Sequence, residues 1–370
     1  MAHHRQRRRH RCRGGGILTG RVSATAPLDG IIVVDLSLLI PGPWATTMLA
    51  ELGATVIHIE PPGGDPLRLM MPGSYELVSR GKAALELDLK STAGRDELSS
   101  IIATADVLVE GFRPGTADRL GFGPEETVRK NPRLIYCSIN GYGSDGPYRD
   151  RPGHDINYLA ASGVLSLSGQ PDGRPYPGAG VPLADLAGSL FATQAILAAL
   201  LRREKTGRGS WFEVSLAASA LKMGEPRLAE YDEQGQPTKK QMMSRGAYDT
   251  FRCRDGAWIA VGCIEDRFWS RLCTTIGRAD LLDDRRLTSY ADRCAHSDFV
   301  NSRLAATFLG ADRAHWLDLL ANSDVPVTEV VDFATIGDDI QMRRWLHEEP
   351  GGRRVSLPYD FREYSKERGN

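Results

Sequence analysis

The sequence has almost no net charge: 46 Lys and Arg against 47 Asp and Glu leave −1 at pH 7 with histidine neutral. No overall field therefore favours nucleic acid or a membrane surface. Cysteine is scarce, six in 370 residues (Cys12, Cys137, Cys253, Cys263, Cys273 and Cys294), and no two make a C-x-x-C pair. That argues against a disulfide scaffold and a zinc site, so no metal is expected; reduced thiols in a cytoplasmic protein are the simplest reading. No G-x-G-x-x-G connects the first strand and helix patterns, so a dinucleotide fingerprint is missing. No apolar core follows the first residues, which excludes a signal peptide there. The longest apolar run, Leu183 to Leu201, is interrupted by Asp185 and Gln194 and closed by Arg202-Arg203-Glu204-Lys205. A membrane span needs roughly 20 predominantly apolar residues, so this run reads as a buried helix. There are no internal repeats.

What is present is ordinary for a globular protein, with 41% apolar and 25% charged residues, and the length suits a large and a small domain. Met1 to Gly16 holds three histidines and six arginines. Residues 1–26 read as a disordered basic extension rather than a nucleic-acid-binding arm.

Ile31-Ile32-Val33-Val34-Asp35-Leu36 opens with a β-branched run that suits a strand buried on both faces. Pro41-Gly42-Pro43 turns the chain, Trp44 to Leu52 reads as a helix stopped by Gly53, and Thr55 to Glu60 as a second strand. Strand, helix, strand predicts a parallel sheet with a right-handed crossover. Further strands are expected at Leu85 to Lys90, Ala105 to Glu110, Arg133 to Ser138 and Trp211 to Leu216, with a helix over Thr92 to Ala105. Residues 27–222 thus form an α/β large domain. Residues 223–246 read as a linker. Tyr248 to Cys253 and Trp258 to Cys263 flank Asp255-Gly256 as a hairpin. Helical patterns follow to Ala321, so residues 247–324 form a small α+β domain. Residues 325–370 are expected to return to the large domain and end in a tail.

One stretch concentrates chemistry. Gly153-His154-Asp155-Ile156-Asn157-Tyr158 follows a loop dense in glycine and proline, the kind of segment that carries function on a rigid scaffold. Asp185 stands just ahead of the long apolar helix, where it reads either as a cap favoured by the helix dipole or as a catalytic acid, base or nucleophile. His154 reads as a satisfied core histidine or a catalytic one. Asp155 and Asn157 read as loop-shaping or ligand contacts, and Tyr158 as core or contact. Arg113 lies beyond the C-terminal end of a strand, where α/β sheets bind ligands; it and Arg119 are either anion ligands or surface arginines.

Several stretches together resemble the family III CoA-transferase and α-methylacyl-CoA racemase family. They are Leu49-Ala50-Glu51-Leu52-Gly53-Ala54, Ser79-Arg80-Gly81-Lys82, Leu87-Asp88-Leu89-Lys90, Ala105 through Gly115, Asn131 through Tyr136, and Lys205-Thr206-Gly207-Arg208-Gly209. The resemblance covers Pro27 to Phe361. It implies a Rossmann-like large domain built from both ends of the chain, a small domain inserted late, and a homodimer of interlocked protomers. It implies an acyl-CoA substrate, with coenzyme A as part of that substrate rather than as a prosthetic group. CoA contacts are implied at Leu87, Asp88, Leu89, Lys90, Gly111, Phe112, Arg113 and Arg119. Gly153, Asp155, Ile156, Asn157 and Tyr158 are added to these. Nucleic acid and membrane are not expected as partners.

Two reactions share the resemblance. In racemases, the residues matching His154 and Asp185 exchange the α-proton of a 2-methylacyl-CoA, and the residue matching Glu265 orients the histidine. In transferases, the aspartate matching Asp185 attacks the thioester and carries CoA to a second acid. Gly153 through Ala160 and Gly262 through Glu265 are similar to the racemase pattern. Val325-Pro326-Val327 looks more like the transferase version, Arg245-Gly246-Ala247 is a shortened form of the racemase stretch before the hairpin, and Pro61 stands where racemases can carry an arginine. Glu265 could also simply pair with Arg267 or Arg271. The expectation is a racemase, with CoA-transferase as the alternative and a catalytically silent CoA-binding protein as the third.

Overall fold

The computed structural model describes residues 26–176, 180–349, 352–359 and 361. All but Ala26 of the expected basic extension lies outside them. The chain divides into two compact units, the first ending at Glu225 but excluding residues 166–178, the second containing those residues and everything from Pro226 onward.

In the first unit, β1 (Ile32–Asp35), β2 (Thr55–Glu60), β3 (Lys82–Glu86), β4 (Val107–Glu110), β5 (Ile135–Asn140) and β6 (Ser210–Ser215) pair in parallel in the order β3-β2-β1-β4-β5-β6. Helices join them: α1 (Pro41–Glu51), α2 (Leu67–Met70), α3 (Pro72–Ser79), α4 (Thr92–Ile102), α5 (Thr116–Leu120), α6 (Pro124–Lys130), α7 (Asp155–Ala161) and α8 (Leu183–Thr206); α9 (Leu216–Glu233) follows β6 and crosses the boundary at Glu225. β1 lies between β2 and β4, so the winding reverses there. In such sheets this leaves a crevice beyond the carboxyl ends of the two strands.

The sheet is buried as its composition demands: Val33, Val34, Val107, Leu108 and Ile135 are fully enclosed. Leu98 and Ile102 of α4 join Val34, Leu108, Leu134 and Tyr136 in one core cluster. Truncating one of these leucines to alanine costs about 2–5 kcal/mol. The strand expected at Leu85 to Lys90 runs instead from Lys82 to Glu86. Leu87 and Leu89 still pack into the core, but from a turn in which Asp88 Oδ1 accepts the Lys90 N–H at 2.9 Å. Their alternation reports burial, not strand.

α8 has the length and composition of a membrane span, yet half of that apolar stretch is buried within the structure. It packs with α1, where the Ser189 hydroxyl donates to the Pro41 carbonyl at 2.6 Å. Near its C-terminus the buried Arg203 pairs with Asp106 Oδ1 at 2.9 Å. Asp106 Oδ2 accepts the Ile32 N–H, which ties the helix end to the start of β1.

The second unit holds an antiparallel sheet, β7 (Tyr248–Arg252), β8 (Trp258–Gly262) and β9 (Val327–Glu329), in that order. With it come α10 (Lys239–Met243), α11 (Asp266–Thr275), α12 (Ala279–Leu282), α13 (Tyr290–Ala295), α14 (Ser297–Phe308) and α15 (Arg313–Leu320). Phe251, Ile259, Trp269, Leu304, Phe308 and Trp316 centre its core. Two expectations change here. Of the residues expected to return to the large domain, Val327–Glu329 instead forms β9: Val327 packs on the small core and pairs opposite Val261, which gives β8 a partner on its second edge. Residues 223–246 are not a plain linker but contain the end of α9 and all of α10. The latter starts from a capping box in which Thr238 and Gln241 satisfy each other's backbone N–H groups.

Candidate active site

The crevice at the strand reversal is a cavity of about 560 Å³ lined entirely by the first unit. Ser37 and Leu39 come from the turn after β1, Gly111 to Pro114 from the turn after β4, and Ile139 to Gly141 from the end of β5. Arg149 to His154 come from the following loop, Asn157 and Tyr158 from α7, and Asp185 from α8.

The first wall rests on buried charge. Asp35, fully enclosed at the end of β1, accepts the Ser37 N–H at 3.0 Å and the Ser37 hydroxyl through Oδ1. Its Oδ2 meets the Thr46 hydroxyl at 2.5 Å, Lys82 Nζ at 3.2 Å and His58 Nδ1 at 3.1 Å. Burial alone would raise this carboxyl, but Lys82 and His58 outweigh it and hold Asp35 far below the usual carboxylate range. Burial in turn lowers the Lys82 ammonium, with Asp35 opposing. Lys82, in the sequence only part of a short motif, is thus the buried counter-ion under the cavity wall.

The second wall is the Gly111-Phe112-Arg113 turn. Glu110 accepts the Phe112 N–H at 2.7 Å, and burial pushes its carboxyl up to about 7. The third wall is the loop before α7. Glu213 of β6 accepts from Asn140 Nδ2 at 2.8 Å and from the Ser144 N–H at 3.0 Å, while Asn140 Oδ1 accepts the Gly143 N–H at 2.6 Å. The Tyr158 ring lies across the loop's two ends: its hydroxyl donates to the Gly153 carbonyl at 2.6 Å, and it packs edge-on against Tyr142. A Cβ added at Gly141 or Gly153 would come within 2.6 or 2.7 Å of that ring, so both positions need glycine. Burial pushes the Tyr158 phenol up to about 12, which keeps it a donor.

His154 caps α7, and its backbone N–H donates to Asn157 Oδ1 at 3.0 Å. Asp185 stands in the first turn of α8, half-buried. Burial, and then the nearby Asp155 carboxylate, push its carboxyl up to about 7. A group at that value exchanges protons readily at neutral pH. Asp155 is not aimed at a ligand through Oδ1, which accepts the N–H groups of Ala184 at 2.7 Å and Asp185 at 3.2 Å.

Of the residues read from the sequence, the structure brings His154, Asp185, Gly111, Phe112, Arg113, Gly153, Asn157 and Tyr158 to one cavity. It does not bring Leu87, Asp88, Leu89, Lys90, Arg119, Asp155 or Ile156 to the lining. Leu87 and Leu89 are held by the core, and Arg119 bonds Thr116 on α5 at 2.8 Å. Glu265 belongs to the second unit, where it precedes α11 on an exposed turn, 4.0 Å from the Arg267 guanidinium. Two charged lining residues, Arg149 and Arg151, were not among the residues read from the sequence. The Arg151 guanidinium lies 3.8 Å from the centre of the Tyr148 ring. Among the described residues no carboxylate pairs with Arg113, Arg149 or Arg151. Two arginines in the loop just ahead of His154 were the available signal. The cavity thus combines a proton-exchanging carboxyl and an imidazole with three guanidiniums suited to an anionic ligand.

Comparison with known proteins agrees with that chemistry. A family model described as CoA-transferase family III matches residues 28–362. The chain belongs to CoA-transferase family III. It is 37% identical over 318 residues to an acetyl-CoA:oxalate CoA-transferase of Acetobacter aceti, covering 83% of this chain and 82% of the relative. It is 34% identical to the human α-methylacyl-CoA racemase over 321 residues, covering 84% and 79%. A CAIB/BAIF family protein from Brucella suis superposes with a TM-score of 0.80 at 30% identity, covering 91% of this chain and 93% of that one. Family III enzymes include both transferases and racemases, and act on CoA thioesters.

Proposed function

We propose that this family III enzyme is an acyl-CoA racemase that inverts C2 of a 2-methylacyl-CoA. The observation that carries the reading is His154 and Asp185 on the wall of one cavity, with the Asp185 carboxyl near 7.

One of the two, in its basic form, removes the α-proton, and the C–H electron pair moves into the thioester as an enolate. The other, in its protonated form, gives a proton to the opposite face of C2, and the carbonyl re-forms. Each product enantiomer leaves the pair in the state that the reverse reaction needs. An α-proton beside a thioester is only weakly acidic, so the enolate requires a positive surrounding. Arg113, Arg149 and Arg151 supply positive potential to the cavity and suit the phosphates of CoA. A homodimer belongs to the same reading.

The second reading is favoured by the acetyl-CoA:oxalate CoA-transferase relative. Asp185 would attack the thioester carbonyl and expel the CoA thiolate, giving a mixed anhydride. The thiolate would attack the aspartyl carbonyl, release the first acid and leave an aspartyl-CoA thioester for a second carboxylate to take. Covalent capture separates the two. Acyl-CoA followed by hydroxylamine should leave Asp185 unmodified in a racemase, and an aspartyl hydroxamate there would establish transfer.

A further inference from the structure

We propose that Asp155 is a positioning residue whose carboxylate sets the separation of His154 from Asp185 by capping α8 from α7. The role rests on the reading that these two side chains perform the chemistry.

α8 begins at Leu183, and its cap residue is Pro182, which offers no side-chain acceptor. The first N–H groups of a helix have no partners within it and need an acceptor from elsewhere. Here the acceptor arrives from another helix, distant in sequence: Asp155 Oδ1 takes the N–H groups of Ala184 and Asp185, the latter 30 positions along the chain. Asp155 is also bonded through the backbone to His154, the cap residue of α7. One carboxylate therefore joins the backbone that carries the imidazole to the backbone that carries the catalytic carboxyl.

The rest of the surroundings lets this tie act. α8 is 24 residues long and is fixed near its other end by Arg203 and Asp106, so its N-terminus is adjusted locally. The α7 side is fixed by Asn157 on the His154 N–H and by Tyr158 on the Gly153 carbonyl. The charged and titratable groups around Asp185 are Asp155, His154 and Tyr158 from α7 and its cap, and Arg113, Arg149 and Arg151 from the cavity loops. Asp155 is the one anion among them, and it raises Asp185. The same oxygen that places Asp185 thus also keeps its proton available near neutral pH.

Two substitutions separate placement from charge. Asp155→Asn keeps an oxygen acceptor for the α8 N–H groups and removes the charge, whereas Asp155→Ala removes both. The direct reading is the 13C carboxyl titration of Asp185 in protein labelled at aspartate, assigned by its loss in Asp185→Asn; it needs no turnover. The Asp185 midpoint should fall below its wild-type value in both variants. With a substrate that the wild type turns over, Asp155→Ala should lower kcat on the order of 100-fold with KM little changed, and Asn should restore most of that loss while moving the pH profile to lower values. An unmoved midpoint in both variants, or Asp155→Ala turning over like the wild type, would overturn the proposal. A wild type that neither racemises nor transfers CoA would instead overturn the functional reading, with the titration still deciding what Asp155 does to Asp185.

Discussion

Asp185 is held where an ionised carboxylate is costly, half-buried beside a second carboxylate. The folded chain keeps its proton up to about 7, against an ordinary 3.8. Folding therefore binds a proton between those values, and stability falls as pH rises through that window. Asp185→Asn removes this cost. The variant should melt above the wild type at pH 8 and show a much smaller gain at pH 4 in paired thermal scans, while its activity falls by at least about 10³-fold. Such an exchange of stability for function is common at active sites. Lys82 makes the opposite case, because its removal strands Asp35 in the core. Lys82→Met should cost about 3–5 kcal/mol in denaturant unfolding. At this scale the sequence was partly legible. His154 and Asp185 stood out because histidine, carboxylate and amide crowd one short stretch and a lone acid opens an apolar helix. The tie from Asp155 to Asp185 and that from Lys82 to Asp35 were not, because each joins residues distant in sequence through geometry that only the fold creates.

Elements were legible wherever one physical signal acted alone. β2 was read at its observed bounds from an unbroken run between Gly53 and Pro61, and the β7–β8 hairpin from Asp255-Gly256. β3 was displaced because Leu85, Leu87 and Leu89 alternate across the end of the strand and into a core-packed turn. α7 was hidden within its own chemical motif, a helix of seven residues with no room for a periodic pattern. Its placement depends on glycine at the loop end. Gly153→Ala puts a methyl group 2.7 Å from the Tyr158 ring, so the ring must turn and give up its bond to the Gly153 carbonyl. That variant should stay folded by circular dichroism and lose activity by about 10²-fold, the cost of a misplaced catalytic group. Wild-type activity would show that the Tyr158 brace does not position His154.

For the whole molecule, the alternation of strand and helix announced a parallel sheet, and the strand order puts the reversal between β2 and β4 where the cavity lies. The small unit was legible as an α+β module, but its third strand was not. β9 comes long after the hairpin it completes, and three residues give almost no periodic signal. The account also expects two copies of the 40.5 kDa chain in solution. Light scattering that finds only the single-chain mass at working concentrations would contradict the dimer. The central claim, proton exchange at C2 between His154 and Asp185, is tested most directly by proton NMR of the enzyme with one enantiomer of a 2-methylacyl-CoA in D2O and no acceptor acid. The account predicts loss of the α-proton signal together with appearance of the other enantiomer, and neither change with Asp185→Asn. An α-proton signal that persists under wild-type enzyme, with C2 uninverted, would contradict it.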